Sequence, residues 1–136
     1  LDTTLVISPL FASDHTLVAV SSDISVSLDS GRTFHLLPAN PLGDAQVLEV
    51  LVHGGKARMV AAFGPNPDLA GKMAYSDDLG ASWRPAVLPG GVGGVQIVRA
   101  LGDDHLIAAA LVVERDRLSE FICSADGGAV WNRCSG

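Results

Sequence analysis

Apolar residues fall in short runs separated by polar turns, and the runs recur in a fixed order. Three times a pair of Val-, Ile- and Leu-rich segments is joined by a polar turn: "TTLVIS" and "TLVAV" across "FASDH", "AQVLEVLV" and "ARMVAAF" across "HGGK", "VQIVRAL" and "LIAAALVV" across "GDDH". A third run follows each pair, "ISVS", "MAYS" or "FICS", and then a fourth, "FHLLP", "WRPAVLP" or "WNRCSG". The run lengths and the β-branched content predict strands, and no segment sustains the 3.6-residue apolar period of a helix. The chain is therefore expected to be all-β.

Between the third and fourth runs lie near-copies of one stretch: "SLDSGRTF" (Ser27–Phe34), "SDDLGASW" (Ser76–Trp83) and "SADGGAVW" (Ser124–Trp131). Ser, Asp, Gly and an aromatic recur at fixed offsets, and the first serines, Ser27, Ser76 and Ser124, are 49 and 48 residues apart. Four-stranded units repeating every roughly 40–50 residues predict β-propeller blades. The 136 residues read as a single propeller segment with blades near 3–39, 45–89 and 93–136. The stretch resembles the Asp-box, or BNR repeat, S-x-D-x-G-x-[TS]-[WF]. It is similar to the repeats of sialidases, sortilin-type ectodomains and photosystem II assembly factors of the Ycf48 kind, and the likeness extends over essentially the whole chain. Val130 departs from the pattern where Ser or Thr is usual.

The structural Asp-box set is Ser27, Asp29, Gly31 and Phe34; Ser76, Asp78, Gly80 and Trp83; and Ser124, Asp126, Gly128 and Trp131. Each Asp is placed to accept hydrogen bonds from turn N–H groups a few residues on. Each Gly supplies a positive φ. Each aromatic is expected to fold onto its blade, burying on the order of 150–250 Å². A calcium loop would need six to eight or so oxygens with several converging carboxylates, whereas each box offers one regular Asp. The resemblance also places such boxes on the propeller periphery, away from ligand sites.

Successive hairpins turn at alternate ends of a blade, so the boxes share one end with the first-to-second turns. The other end carries loops of variable length, "SSD", "GPNPDLAG" and "ERDRLSE", and variable loops on a repeated scaffold are where recognition concentrates. The candidate binding residues there are Asn66, Asp68, Glu114, Arg115, Asp116 and Arg117. "PGGVGG" lacks the Lys and Ser/Thr of a phosphate loop and reads as a spacer. His15, His53 and His105 occupy turns; equivalent turns of adjacent blades are expected to lie far apart, and no metal set or cofactor pattern is recognised.

Composition narrows the partners. A formal charge of −6 with no Lys/Arg cluster argues against nucleic acid. The longest aliphatic run, "LIAAALVV", has eight residues, against the roughly 18 of a membrane helix, so no membrane insertion is expected. The chain begins at Leu1 with no signal-peptide core, so a targeting segment is expected to have been removed or to lie outside this piece. Cys123 and Cys134 flank the third box on the same side of the sheet, one diagonal step of roughly 7–8 Å apart. That is the limit of disulfide geometry, so bond and buried free thiol both stand as readings.

Three blades do not close a ring, so the segment is read as half of a six-bladed homodimer or part of a longer propeller chain. The resemblance suggests an extracellular or periplasmic compartment, and with the variable loops the chain is read as a scaffold that binds a protein or glycan through the face opposite the boxes, the reading leaning away from an enzyme without deciding it. The alternative is a glycoside hydrolase or lyase completed by a partner subunit or further blades. Sialidase chemistry is disfavoured because no "RIP"-type motif occurs. The sole tyrosine, Tyr75, lies in a predicted strand, and Arg32, Arg84 and Arg133 sit in or beside the boxes.

Overall fold

The computed structural model describes residues 4–21, 23–37, 44–64, 72–112 and 118–134. They form three antiparallel sheets of four strands, each laid down in sequence order. The first sheet contains β1 (Thr4–Ile7), β2 (Leu17–Val20), β3 (Ile24–Ser27) and β4 (His35–Leu36). The middle sheet contains β5 (Asp44–His53), β6 (Lys56–Gly64), β7 (Lys72–Ser76) and β8 (Arg84–Pro85). The third contains β9 (Val92–Gly102), β10 (His105–Val112), β11 (Leu118–Ser124) and β12 (Asn132–Arg133).

Side chains alternate across a strand, so each sheet has a face toward the next sheet and a rear face toward the preceding one. Val18, Val20, Ile24 and Val26 of the first sheet pack on Leu48, Val50, Met59, Ala61 and Ala74 of the middle one. From the middle sheet's other face, Leu51, Val60, Ala62 and Met73 pack on Val95, Val98, Leu106, Ala108, Ile122 and Trp131 of the third. The middle sheet is thus buried on both faces.

The aromatics that open the outer strands have unequal fates. Trp131 is 1% exposed, sits in the core between the middle and third sheets, and donates its Nε1–H to Gly128 O at 2.9 Å. Trp83 is half-buried against the core between the first and middle sheets. Phe34 is 43% exposed, which corrects the expectation that all three fold down equally. The physical reason is that these rings pack toward the preceding sheet, and Phe34 has none behind it.

Other departures are local. The turn "FASDH" contains one helical turn, α1 (Phe11–Asp14), held by Ser8 Oγ donating to Asp14 Oδ2 and Thr16 N donating to Asp14 Oδ1. "PGGVGG" is not a spacer throughout: Val92, Gly93 and Gly94 begin β9, where main-chain pairing needs no side chain, and Gly94 lies opposite Leu111. The outer strands β4, β8 and β12 keep only two pairs each, fewer than the apolar runs suggested. Beyond β8 the chain leaves its own sheet to pair with the next one: Val87 N donates to Ala129 O and Trp131 N donates to Val87 O, both at 2.8 Å.

Cys123 and Cys134 are joined by a disulfide with Cα atoms 5.1 Å apart. Cys123 lies opposite Asn132, the register expected, but the diagonal to Cys134 is shorter than a flat sheet would give. Cys134 N donates to Phe121 O at 3.1 Å, which holds this residue against β11.

Trp131→Ala is expected to cost about 3–5 kcal/mol in urea denaturation, with an unchanged m value. Trp131→Phe, which keeps most of the apolar surface but leaves Gly128 O unpaired, is expected to cost roughly 1–3 kcal/mol. A loss below about 1 kcal/mol for the alanine variant would remove this ring from the set that joins the sheets.

Candidate functional site

The hairpin between the third and fourth strands has the same geometry in all three sheets. The serine hydroxyl is buried, donates to the aspartate Oδ1 at 2.7–2.8 Å, and accepts the glycine N–H at 2.8–2.9 Å (Ser27/Asp29/Gly31, Ser76/Asp78/Gly80, Ser124/Asp126/Gly128). The same Oδ1 accepts a main-chain N–H four residues on, from Thr33, Ser82 or Val130. In the first two hairpins a hydroxyl, Thr33 Oγ1 or Ser82 Oγ, also donates to Oδ2. Val130 cannot, and the third carboxylate lacks that bond. Gly31, Gly80 and Gly128 have φ near +90°. Gly80 and Gly128 are also crowded from the preceding sheet: a Cβ would lie 2.4 Å from Leu37 Cδ1 in one case and 2.9 Å from Val60 Cγ2 in the other. All three aspartates brace the turn.

These bonds hold the carboxylates ionised. The Thr33 hydroxyl, the Thr33 N–H and the Ser27 hydroxyl lower the Asp29 pKa to about 2, and the Ser82 and Ser76 hydroxyls and the Ser82 N–H do the same for Asp78. For Asp126 burial is the largest single influence and works against ionisation. The Val130 N–H, the Ser124 hydroxyl and other main-chain donors outweigh it, so its pKa is also lowered.

Between the middle and third sheets the hairpin end carries a polar cluster. Arg58 is buried at the start of β6 and clasps Asp77 through Nε and Nη2, at 2.6 and 2.9 Å. Its Nη1 reaches across to Asp126 O and Gly127 O of the third sheet, both at 3.4 Å, and its guanidinium lies 4.6 Å from the Tyr75 ring centroid. This Arg58 hydrogen bond, foremost, lowers the Asp77 pKa. Beside it His53 Nδ1 donates to Asp104 at 2.5 Å, while Gly127 N donates to Asp104 O. The turns of adjacent sheets therefore touch, which corrects the expectation that they lie far apart. His15 contacts Ser30 Oγ and the Phe11 ring, and His105 contacts Asp103 O. A cleft of about 150 Å³ is lined by Tyr75, Asp77, Asp78, Ser82 and Arg84.

Sequence reasoning did not single out Arg58 or Asp77. The available signal was a lone cation within the apolar run "ARMVAAF", together with the second Asp of "SDD". The candidates on the opposite end, Asn66, Asp68, Glu114, Arg115, Asp116 and Arg117, all lie outside the described residues. Among the described residues there is no group of three or more His, Cys, Asp or Glu placed to hold a metal ion, and no helix is long and apolar enough to cross a membrane.

The sequence matches no protein-family model and no curated protein. Solved structures do match in fold. An ancestral GH74 enzyme is similar over 98% of this chain (TM-score 0.65, 14% identity) and the Niastella koreensis GH74 enzyme over 95% (TM-score 0.64, 17% identity). YCF48 bound to D1 peptide is similar over 96% (TM-score 0.59, 18% identity). The chain spans 18%, 17% and 38% of those chains respectively. All are β-propeller proteins, and the three sheets described above are propeller blades, part of a ring.

A group with a depressed folded-state pKa contributes stability that is present above its unfolded value and lost as pH falls through the folded one. For Asp29 and Asp78 that window runs from 3.8 down to about 2. Carboxyl NMR titration should place both midpoints near 2, and Asp29→Asn or Asp78→Asn should flatten the loss of stability across that window. Midpoints near 3.8 would show that the hairpin bonds do not favour the charged form.

Proposed function

We propose that this chain is part of a non-catalytic, secreted or periplasmic Asp-box β-propeller scaffold that binds a protein or glycan through the end opposite the boxes. One observation carries the reading: the regular polar groups of the three hairpins are engaged in the same internal bonds. Serine, aspartate and glycine close each turn, and Arg58 ties the middle blade to the third. That end holds blades together, and recognition falls to the loops of the other end, which vary in length from blade to blade. YCF48 is similar in fold and has a peptide bound, which supports a protein partner. The Cys123–Cys134 disulfide supports an oxidising compartment.

The second reading is a glycoside hydrolase or lyase completed by blades outside this chain, favoured by the fold likeness to two GH74 enzymes. Turnover separates the two: a scaffold retains a glycan unchanged, while an enzyme releases shorter products.

Peptide and glycan arrays probed with the folded protein test the recognition surface. A quadruple variant, Asn66→Ala, Asp68→Ala, Arg115→Ala and Arg117→Ala, should lose at least roughly tenfold in affinity for any retained ligand, at an unchanged thermal midpoint. Retention by that variant, with loss on Arg84→Ala instead, would move the site to the hairpin end. For the compartment, alkylation of protein taken directly from its source should modify Cys123 and Cys134 only after reduction. Labelling without reductant would place the protein in a reducing environment.

A further inference from the structure

The outermost faces of the three-blade arc are the two unmatched halves of the junction that the chain already makes twice. The rear face of the first blade presents Leu5, Ile7 and Leu36, with Ile7 59% and Leu36 66% exposed, and Phe34 stands beside them. The forward face of the third blade presents Ile97, Leu101 and Phe121, 40%, 66% and 61% exposed. By register, Leu5 and Ile7 occupy the places of Leu48 and Val50, which are buried in the first junction. Phe34 occupies the place of Trp131, which is buried in the second. Phe121 and Ile107 likewise occupy the places of Met73 and Val60, both buried against the third blade.

The hairpin glycines tell the same story. Gly80 and Gly128 are met by Leu37 and Val60 of the preceding blade, whereas the nearest neighbour to a Cβ on Gly31 is Leu17 of its own blade, at 3.3 Å. The Gly31 hairpin is open on the side where its two counterparts are covered. At the other end of the arc, Cys134 stands where Leu37 stands in the first blade: each N–H bonds the equivalent third-strand carbonyl, Phe121 O or Ile24 O. The disulfide fixes that position on the face awaiting a neighbour.

We propose that these two faces join head to tail between two copies of this chain, the forward face of each third blade packing on the rear face of the other's first blade. The proposal rests on the propeller-scaffold reading and names what completes the ring. Both faces of one junction are present on one molecule, so a second copy supplies both missing partners at once. A twofold axis then relates the copies, and twice three blades gives six, inside the range of about four to eight at which propellers close. Ile107 of one copy covers the Gly31 hairpin of the other as Val60 covers Gly128, and Phe34 is buried as Trp131 is. Burial of apolar surface drives the union.

Native mass spectrometry of the 136-residue chain tests this. The expected species is a dimer of twice the 14.0 kDa chain mass. Phe121→Glu damages only the forward face and Ile7→Glu only the rear face; each alone should give a monomer, with unchanged far-ultraviolet circular dichroism showing that the blades remain folded. A mixture of the two variants should recover a heterodimer, because the Ile7→Glu chain keeps a sound forward face and the Phe121→Glu chain a sound rear face. A monomeric parent chain, as when further blades of a longer polypeptide cover these faces, would overturn the proposal. So would an open-ended oligomer, or homodimers that persist in either variant, which like-on-like pairing requires. A parent dimer that binds nothing on the arrays leaves this inference standing and removes the recognition reading; a monomer that binds does the reverse.

Discussion

Face-to-face packing between neighbouring blades is the interaction on which the rest of the molecule depends. A four-stranded sheet has two faces and cannot bury either within itself. Here Val18, Val20, Ile24 and Val26 find their partner surface on the middle blade, and Val60, Ala62 and Met73 find theirs on the third. Local features inherit their state from this stacking. Trp131 is buried because a blade lies behind it, and Phe34 is exposed because none does. The chain segment after β8 is drawn out of its own sheet to bond Ala129 and Trp131 of the next.

The same stacking accounts for the bonding at the hairpin end. Where the third strand turns outward, main-chain donors would be left unpaired beside an apolar interface, an expensive arrangement. The buried serine hydroxyl and the aspartate carboxylate satisfy them, and the depressed pKa values of Asp29 and Asp78 are the electrostatic trace of those bonds. At the second junction the solution goes further, since Arg58 neutralises Asp77 while donating to two carbonyls of the next blade. Groups so engaged have little capacity left for a ligand.

Much of this was legible in the residues. The serine, aspartate, glycine and aromatic at fixed offsets encode a turn whose bonds are local, spanning two to four residues, so a sequence pattern captures them fully. The four-strand repeat was readable because each run alternates with turn residues. Arg58 with Asp77, and His53 with Asp104, were not readable. Arg58 and Asp77, 19 residues apart, meet within the middle blade through the pairing of Met59 with Ser76, a register that the runs alone do not fix; His53 and Asp104, 51 residues apart, meet only through how one blade is set against the next. "PGGVGG" misled for a related reason: glycines suggest a loop by local preference, but a long neighbouring strand offered pairing that outweighed it. Even the Cys123–Cys134 bond turned on the actual separation of two diagonal positions, which spacing alone leaves open.

The sequence by itself determined the class of fold, the number of blades in this segment and the chemistry of each hairpin, because those rest on strand-length apolar runs, on their repetition and on contacts within a few residues. Tertiary structure alone decided which aromatic is buried, which glycine is covered and which charges meet across a junction. The physical reason is that sheet faces are alike in sequence whether or not they have a neighbour. Leu5 and Leu48 are the same residue in the same register position, and only the presence of a blade behind one of them makes it part of a core.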